Sequence, residues 1–191
     1  MKTSRMEAFS DGVLAIIITI MVLELKPPTA IDKEAFLILI PTIVSYMLSF
    51  VYVGIYWNNH HHLVHKLTRL NGRVLWSNLH WLFWMSLIPF STAWVGMNPL
   101  EAVPTLFYGV ILFLCAVSYL FLQNQVVQCE GTESDLAKEI GFDWKGKVSM
   151  LLYVTGVVFA FWVPAVSYGL YLVVAIIWFI PDKRIEKTFL Q

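Results

Sequence analysis

Four of the five histidines in this chain fall within six residues, His60-His61-His62-Leu63-Val64-His65, and they are the side chains best equipped for chemistry. On a helix His61 and His65 are four apart and share a face, a spacing that can hold a metal ion; His60 and His65, five apart, meet poorly. No HExxH occurs, and no Asp or Glu lies inside the group to act as a base. The group therefore reads as network or interfacial histidines in preference to a metal centre. A second polar set, Arg5, Ser10 and Asp11, opens an apolar stretch near the N-terminus. Neither a Gly-rich phosphate loop nor GxSxG is found, and no enzyme is expected. Cys115 lies in an apolar run and Cys129 in a polar one, so neither a disulfide framework nor a cysteine metal site is expected.

The element that positions the second set runs from Arg5 to Leu25. Of the fourteen residues Gly12 to Leu25, eleven are aliphatic or Met. Ser4 with Glu7 reads as a capping box, which predicts a helix start near Ser4. From there to Lys26 is about 33 Å, enough to cross a bilayer. An Asp inside such a helix costs about 2.5–3.5 kcal/mol at mid-bilayer and less near the edge, so Asp11 calls for a partner or a water-filled path. Arg5 and Asp11 are six apart and cannot pair along the helix, so the partner is expected on another helix. At 100° per residue, Ile16, Thr19, Ile20 and Leu23 fall in one stripe about 100° wide, with Asp11 well off it. The pattern alone allows that stripe to be ordinary packing surface.

The whole chain is built to match. Its 191 residues are 58% hydrophobic, 15% aromatic and 14% charged, with zero net charge. That balance excludes a disordered chain and a basic nucleic-acid binder and points to a polytopic membrane protein. The first apolar segment ends in Lys26-Pro27-Pro28 without a small-residue cleavage site and reads as a retained span. Six spans are expected, at about residues 5–25, 34–57, 74–95, 105–122, 148–164 and 168–181, forming one all-α domain over 1–191. Pro89 is expected to kink the third, and Glu133 to Ile140 to form a short surface helix. The turn between the last two is expected near Pro164 to Gly169, which leaves both short or tilted.

With both termini cytoplasmic, this topology puts Lys2, Arg5, Lys66, Arg69, Arg73, Lys138, Lys145, Lys147, Lys183, Arg184 and Lys187 inside and only Lys26 and Lys33 outside, a strong positive-inside bias. It also places Arg5, Ser10, Asp11, the His60–His65 group, Asn78 and His80 at similar depth, where a polar network could join the first three helices and hold the first in a fixed orientation. Internal repeats and a mid-membrane substrate site, the marks of a transporter, are not evident. A proton-coupled carrier using Asp11 and a histidine-based membrane metal-binding protein or enzyme stand as the alternatives.

Arg5-Met6-Glu7-Ala8-Phe9-Ser10-Asp11 matches the RxxxFSD signature that opens the first helix of the endosomal and lysosomal potassium channel family, the transmembrane protein 175 family. The chain resembles its bacterial members almost throughout, including the Trp57-Asn58-Asn59-His60-His61 stretch and the Asn78-Leu79 pair. The resemblance implies a potassium channel in the cell membrane, a homotetramer of six-helix subunits with a pore lined by the first helix. No cofactor is implied beyond the conducted potassium ion. It implies that Ile16 forms the narrowest ring, Thr19 a hydroxyl layer one turn further out, and Ile20 and Leu23 the continued lining. Arg5, Ser10 and Asp11 are implied in the structural network with Asn78, and His61 is the histidine expected to join it.

Overall fold

The computed structural model describes residues 3–141 and 143–179. Lys2, Lys183, Arg184, Lys187 and the last two residues of the expected sixth span lie outside them. Within the described residues the fold is all-helical, with eight helices: α1 Thr3–Leu23, α2 Lys33–His65, α3 Gly72–Met85, α4 Ile88–Met97, α5 Ala102–Glu130, α6 Asp135–Ile140, α7 Trp144–Phe159 and α8 Pro164–Phe179. By length and composition, α1, α2 and α5 can each cross a membrane alone.

Several boundaries differ from those read in the sequence, each for a local reason. Helix α1 already includes Thr3 and Ser4, so Ser4 is a helical residue and not the cap. Helix α2 starts on the Asp32 carboxylate, which accepts from Ala35 N at 2.8 Å, and runs through the whole histidine group to His65. The expected third span is two helices. Pro89 has no N–H to give, and the helix is interrupted at Ser86-Leu87 before it resumes as α4. Helix α5 continues to Glu130 and stops where Gly131 takes φ 111°. The short surface helix is present as α6, capped by Ser134. Pro164 does not sit in the turn between the last two helices; it opens α8, where its fixed φ suits a first turn, and residues 160–163 make the turn.

Helix α5 is the hub, packed against α3, α4, α7 and α8. The interior is aromatic: Tyr52, Trp81, Tyr108, Tyr153 and Tyr171 are all buried. Small residues admit these rings. Tyr171 lies so close to Gly109 of α5 and Gly156 of α7 that a Cβ at either glycine would collide with it. Tyr171 Oη donates to Thr105 O at 3.4 Å, and its carbonyl accepts from Tyr52 Oη at 2.5 Å. A hydroxyl chain ties α2 to α4 and α5: Thr92 Oγ1 lies 2.7 Å from Ser49 Oγ, which lies 2.9 Å from Tyr108 Oη. Helix α1 stands at the edge of this bundle, against α2, α3 and α4.

Candidate functional site: the outward face and polar root of the first helix

Helix α1 buries one stripe, Met6, Ser10, Leu14, Ile17 and Met21, spaced by three or four residues, against its own subunit. The four residues singled out in the sequence lie on another face. Ile16 is 59% exposed, Ile20 44% and Leu23 70%, and Thr19 is exposed as well. They form an aliphatic ridge that the subunit does not cover. Phe9 and Gly12 share this face and extend the ridge toward the start of the helix, where the four-residue stripe stopped short of them. Thr19 Oγ1 donates to Ala15 O at 2.9 Å. With its proton committed to the helix, the hydroxyl presents only lone pairs outward.

The polar root of α1 is tied to two helices. His60 Nε2, Asn78 Oδ1, Asn78 Nδ2 and Ser10 Oγ form two successive contacts of 2.9 Å, and Ser10 Oγ donates to Met6 O at 2.9 Å. Because an amide oxygen only accepts, His60 carries its proton on Nε2, and the relay runs one way from α2 through α3 to the backbone of α1. Ser10, His60 and Asn78 are all buried. The ring of His60 stacks on Trp81 at 4.8 Å between centroids.

Two further contacts run alongside. His61 Nδ1 donates to Glu7 Oε1 at 2.9 Å, and Trp57 Nε1 donates to Asp11 Oδ1 at 3.1 Å. Asp11 thus finds its partner on another helix, as its cost in a membrane demands. Glu7, expected to close a capping box with Ser4, instead reaches across to α2. The buried relay takes His60, while His61 makes the separate pair with Glu7, so both histidines tie α1 to α2. Arg5 is exposed and, among the described residues, makes no hydrogen bond or ion pair. It stands eleven residues before Ile16, about 20° from the same helical direction, and so belongs to the outward face.

In the sequence Glu7 and Trp57 stand outside the expected network and His60 enters only as one of the histidine group, yet a signal for Glu7 and Trp57 was there. Glu7 and Asp11 are four apart on α1; Trp57 and His61 are four apart on α2. Antiparallel helices pair such sets in reverse order, 7 with 61 and 11 with 57. His60 carried no comparable signal, because its burial depends on the Trp81 ring of α3. As for metal, among the described residues no three His, Cys, Asp or Glu side chains are gathered to hold an ion. His61 and His65 stack with ring centroids 5.8 Å apart.

Comparison with known proteins points to one family. A family model described as endosomal/lysosomal potassium channel TMEM175 matches residues 5–89, which include α1 from Arg5 on, the histidine group and α3. A potassium channel of Chryseobacterium sp. (strain P1-3) is 48% identical over 188 residues, covering 98% of each chain. A potassium channel of Chamaesiphon minutus is 32% identical over 127 residues, covering 62% of this chain and 63% of that one. The fold superposes with a TM-score of 0.78 on the crystal structure of a lysosomal potassium-selective channel TMEM175 homologue from Chamaesiphon minutus, at 28% identity, covering 92% of this chain and 95% of the other.

Proposed function

The chain belongs to the TMEM175 family of potassium channels, and from that membership we propose that four copies assemble into a cell-membrane channel whose pore is lined by α1. The observation that carries this reading is the uncovered ridge of Ile16, Ile20 and Leu23, opposed to a stripe the subunit buries. In the proposed topology α1, α2, the interrupted pair α3–α4, α5, α7 and α8 are the six crossings, with both termini cytoplasmic.

Four Ile16 side chains at the axis would narrow the path until a cation sheds part of its hydration shell. Tighter closure of the same ring would gate by dewetting. The Thr19 oxygens, their protons already donated to α1, would stand in for some of the lost water one turn further out. Aliphatic rings supply no coordinating dipoles, so potassium is favoured over sodium only modestly. The Ser10–Asn78–His60 relay and the Glu7–His61 and Asp11–Trp57 contacts hold α1 at a fixed rotation, which keeps the ridge on the axis. Arg5, which makes no hydrogen bond or ion pair among the described residues, joins this network across the subunit boundary.

The test is ion flux from purified protein in liposomes under potassium or sodium gradients, with the subunit number measured on the same sample. Ile16→Asn should raise the current and weaken selectivity; an unchanged conductance and permeability ratio would count against Ile16 as the constriction. A proton-coupled carrier would instead show saturable, pH-coupled flux. Stoichiometric zinc or iron, lost in a His61/His65 double variant, would favour the metal reading.

A further inference from the structure

We infer that the open groove between the first turn of α3 and the last turns of α5 is a docking site for an anionic phospholipid of the cytoplasmic leaflet. The groove has a volume of about 800 Å³ and is lined by Arg73, Trp76 and Ser77 on one side and Phe121 and Gln125 on the other. It rests on the membrane topology proposed above, which places this end of the bundle at the inner surface.

Its chemistry is layered as a lipid is. Arg73 stands at the mouth, exposed and, among the described residues, without an ion pair. Lys66 and Arg69 lie in the same connection and add positive charge. In the same region the Glu130 carboxylate is tied to the backbone of the connection, accepting from Thr68 N at 2.5 Å and from Arg69 N at 3.0 Å. The groove lining itself contains no acid. Below the arginine the walls turn apolar. Trp76 is 74% exposed and Phe121 49%, large rings left bare along the seam.

Ser77 and Gln125 are the uncharged polar side chains of these walls. Beyond the lining, His80 is seven residues past Arg73 on the same face of α3, about 10 Å further along the axis. Its ring meets Phe121 at 6.3 Å, and Trp84 Nε1 donates to its Nε2 at 3.0 Å. An indole N–H only donates, so the neutral imidazole keeps its proton on Nδ1, a donor suited to an ester carbonyl. A guanidinium at the mouth and an aromatic seam beneath it match a phosphate and an acyl chain in that order, with His80 further along the seam beside Phe121. The absence of any acid on the walls favours this occupant over zwitterionic lipid.

Native mass spectrometry of the assembled protein, titrated with phosphatidylglycerol or phosphatidylcholine, tests it. Wild type should retain phosphatidylglycerol in preference, Arg73→Gln should lower that retention about fivefold, and Arg73→Lys should keep most of it. Trp76→Ala should weaken both lipids, and Lys138→Gln, on α6, should change neither. Equal retention of the two lipids by wild type, or equal losses in Arg73→Gln and Lys138→Gln, would overturn the site. So would a map of the assembly with a neighbouring subunit's side chains filling the groove. The readout is bound lipid mass and not ion flux, so its failure is distinct from failure of the pore reading.

Discussion

Asn78 uses both ends of its amide, donating to Ser10 and accepting from His60, while 1% exposed. Removing it strands the buried His60 Nε2–H, at a cost of about 1–3 kcal/mol, and takes one hydrogen bond from Ser10, which keeps its bond to Met6 O. Asn78→Ala should therefore lower the thermal unfolding midpoint of the detergent-solubilised protein by several degrees. Asp11 sits differently. Its contact with Trp57 is on an exposed part of the subunit surface, where losing a hydrogen bond costs about 1 kcal/mol or less. Asp11→Ala should shift the unfolding midpoint little but reduce the yield of the proposed tetramer on size exclusion, or disturb gating, because its role is to set how α1 meets its surroundings. An Asp11→Ala channel normal in assembly, current and gating would remove the orienting role from this residue.

The elements pack through one ring. Tyr171 of α8 is wedged against Gly109 of α5 and Gly156 of α7, and Ser167 Oγ donates to Gly156 O at 2.6 Å from the same helix. A methyl group at Gly109 meets the Tyr171 hydroxyl first, so Gly109→Ala should overpack the α5–α8 contact and destabilise by about 1–3 kcal/mol. Adding Tyr171→Phe removes the colliding oxygen, and the double variant should recover part of the loss. Thermal unfolding of the two single variants and the double closes the cycle. Additive losses would show that the collision lies elsewhere. The element boundaries mark what the sequence could and could not convey. The apolar runs announced where α1, α2 and α5 lie, because burial in a membrane leaves a composition signal. They did not announce where α2 and α5 end, because His60 to His65 and Gln123 to Glu130 are polar yet remain helical beyond the apolar core. Pro89 was legible as a disturbance, but whether it bends or interrupts the helix depends on how α3 and α4 pack on α5 and α1.

At the scale of the whole molecule, a single subunit leaves α1 with two uncovered directions. One carries Ile16, Thr19, Ile20 and Leu23; the other carries Ala15 and Val22, with Val22 45% exposed. The 3.6-residue period separated these directions in the sequence, but no one-chain pattern states which faces an axis, since lipid and pore both tolerate an aliphatic surface. Cysteine substitution separates them, because a soft thiolate-binding ion arriving from water reaches a thiol in the conduction path and obstructs it. Leu23→Cys, 70% exposed in the lone subunit, should confer block by silver or cadmium in a liposome flux assay. Val22→Cys, one residue away and about 100° around the helix, should confer none. Wild type sets the baseline: Cys115 is buried, and Cys129 lies at the far end of α5 with its thiol toward Arg69 O at 3.5 Å. Block of Val22→Cys with Leu23→Cys unaffected would rotate α1 by that angle and put Ile16 on the lipid or neighbour side. Block of neither would move the conduction path to another helix.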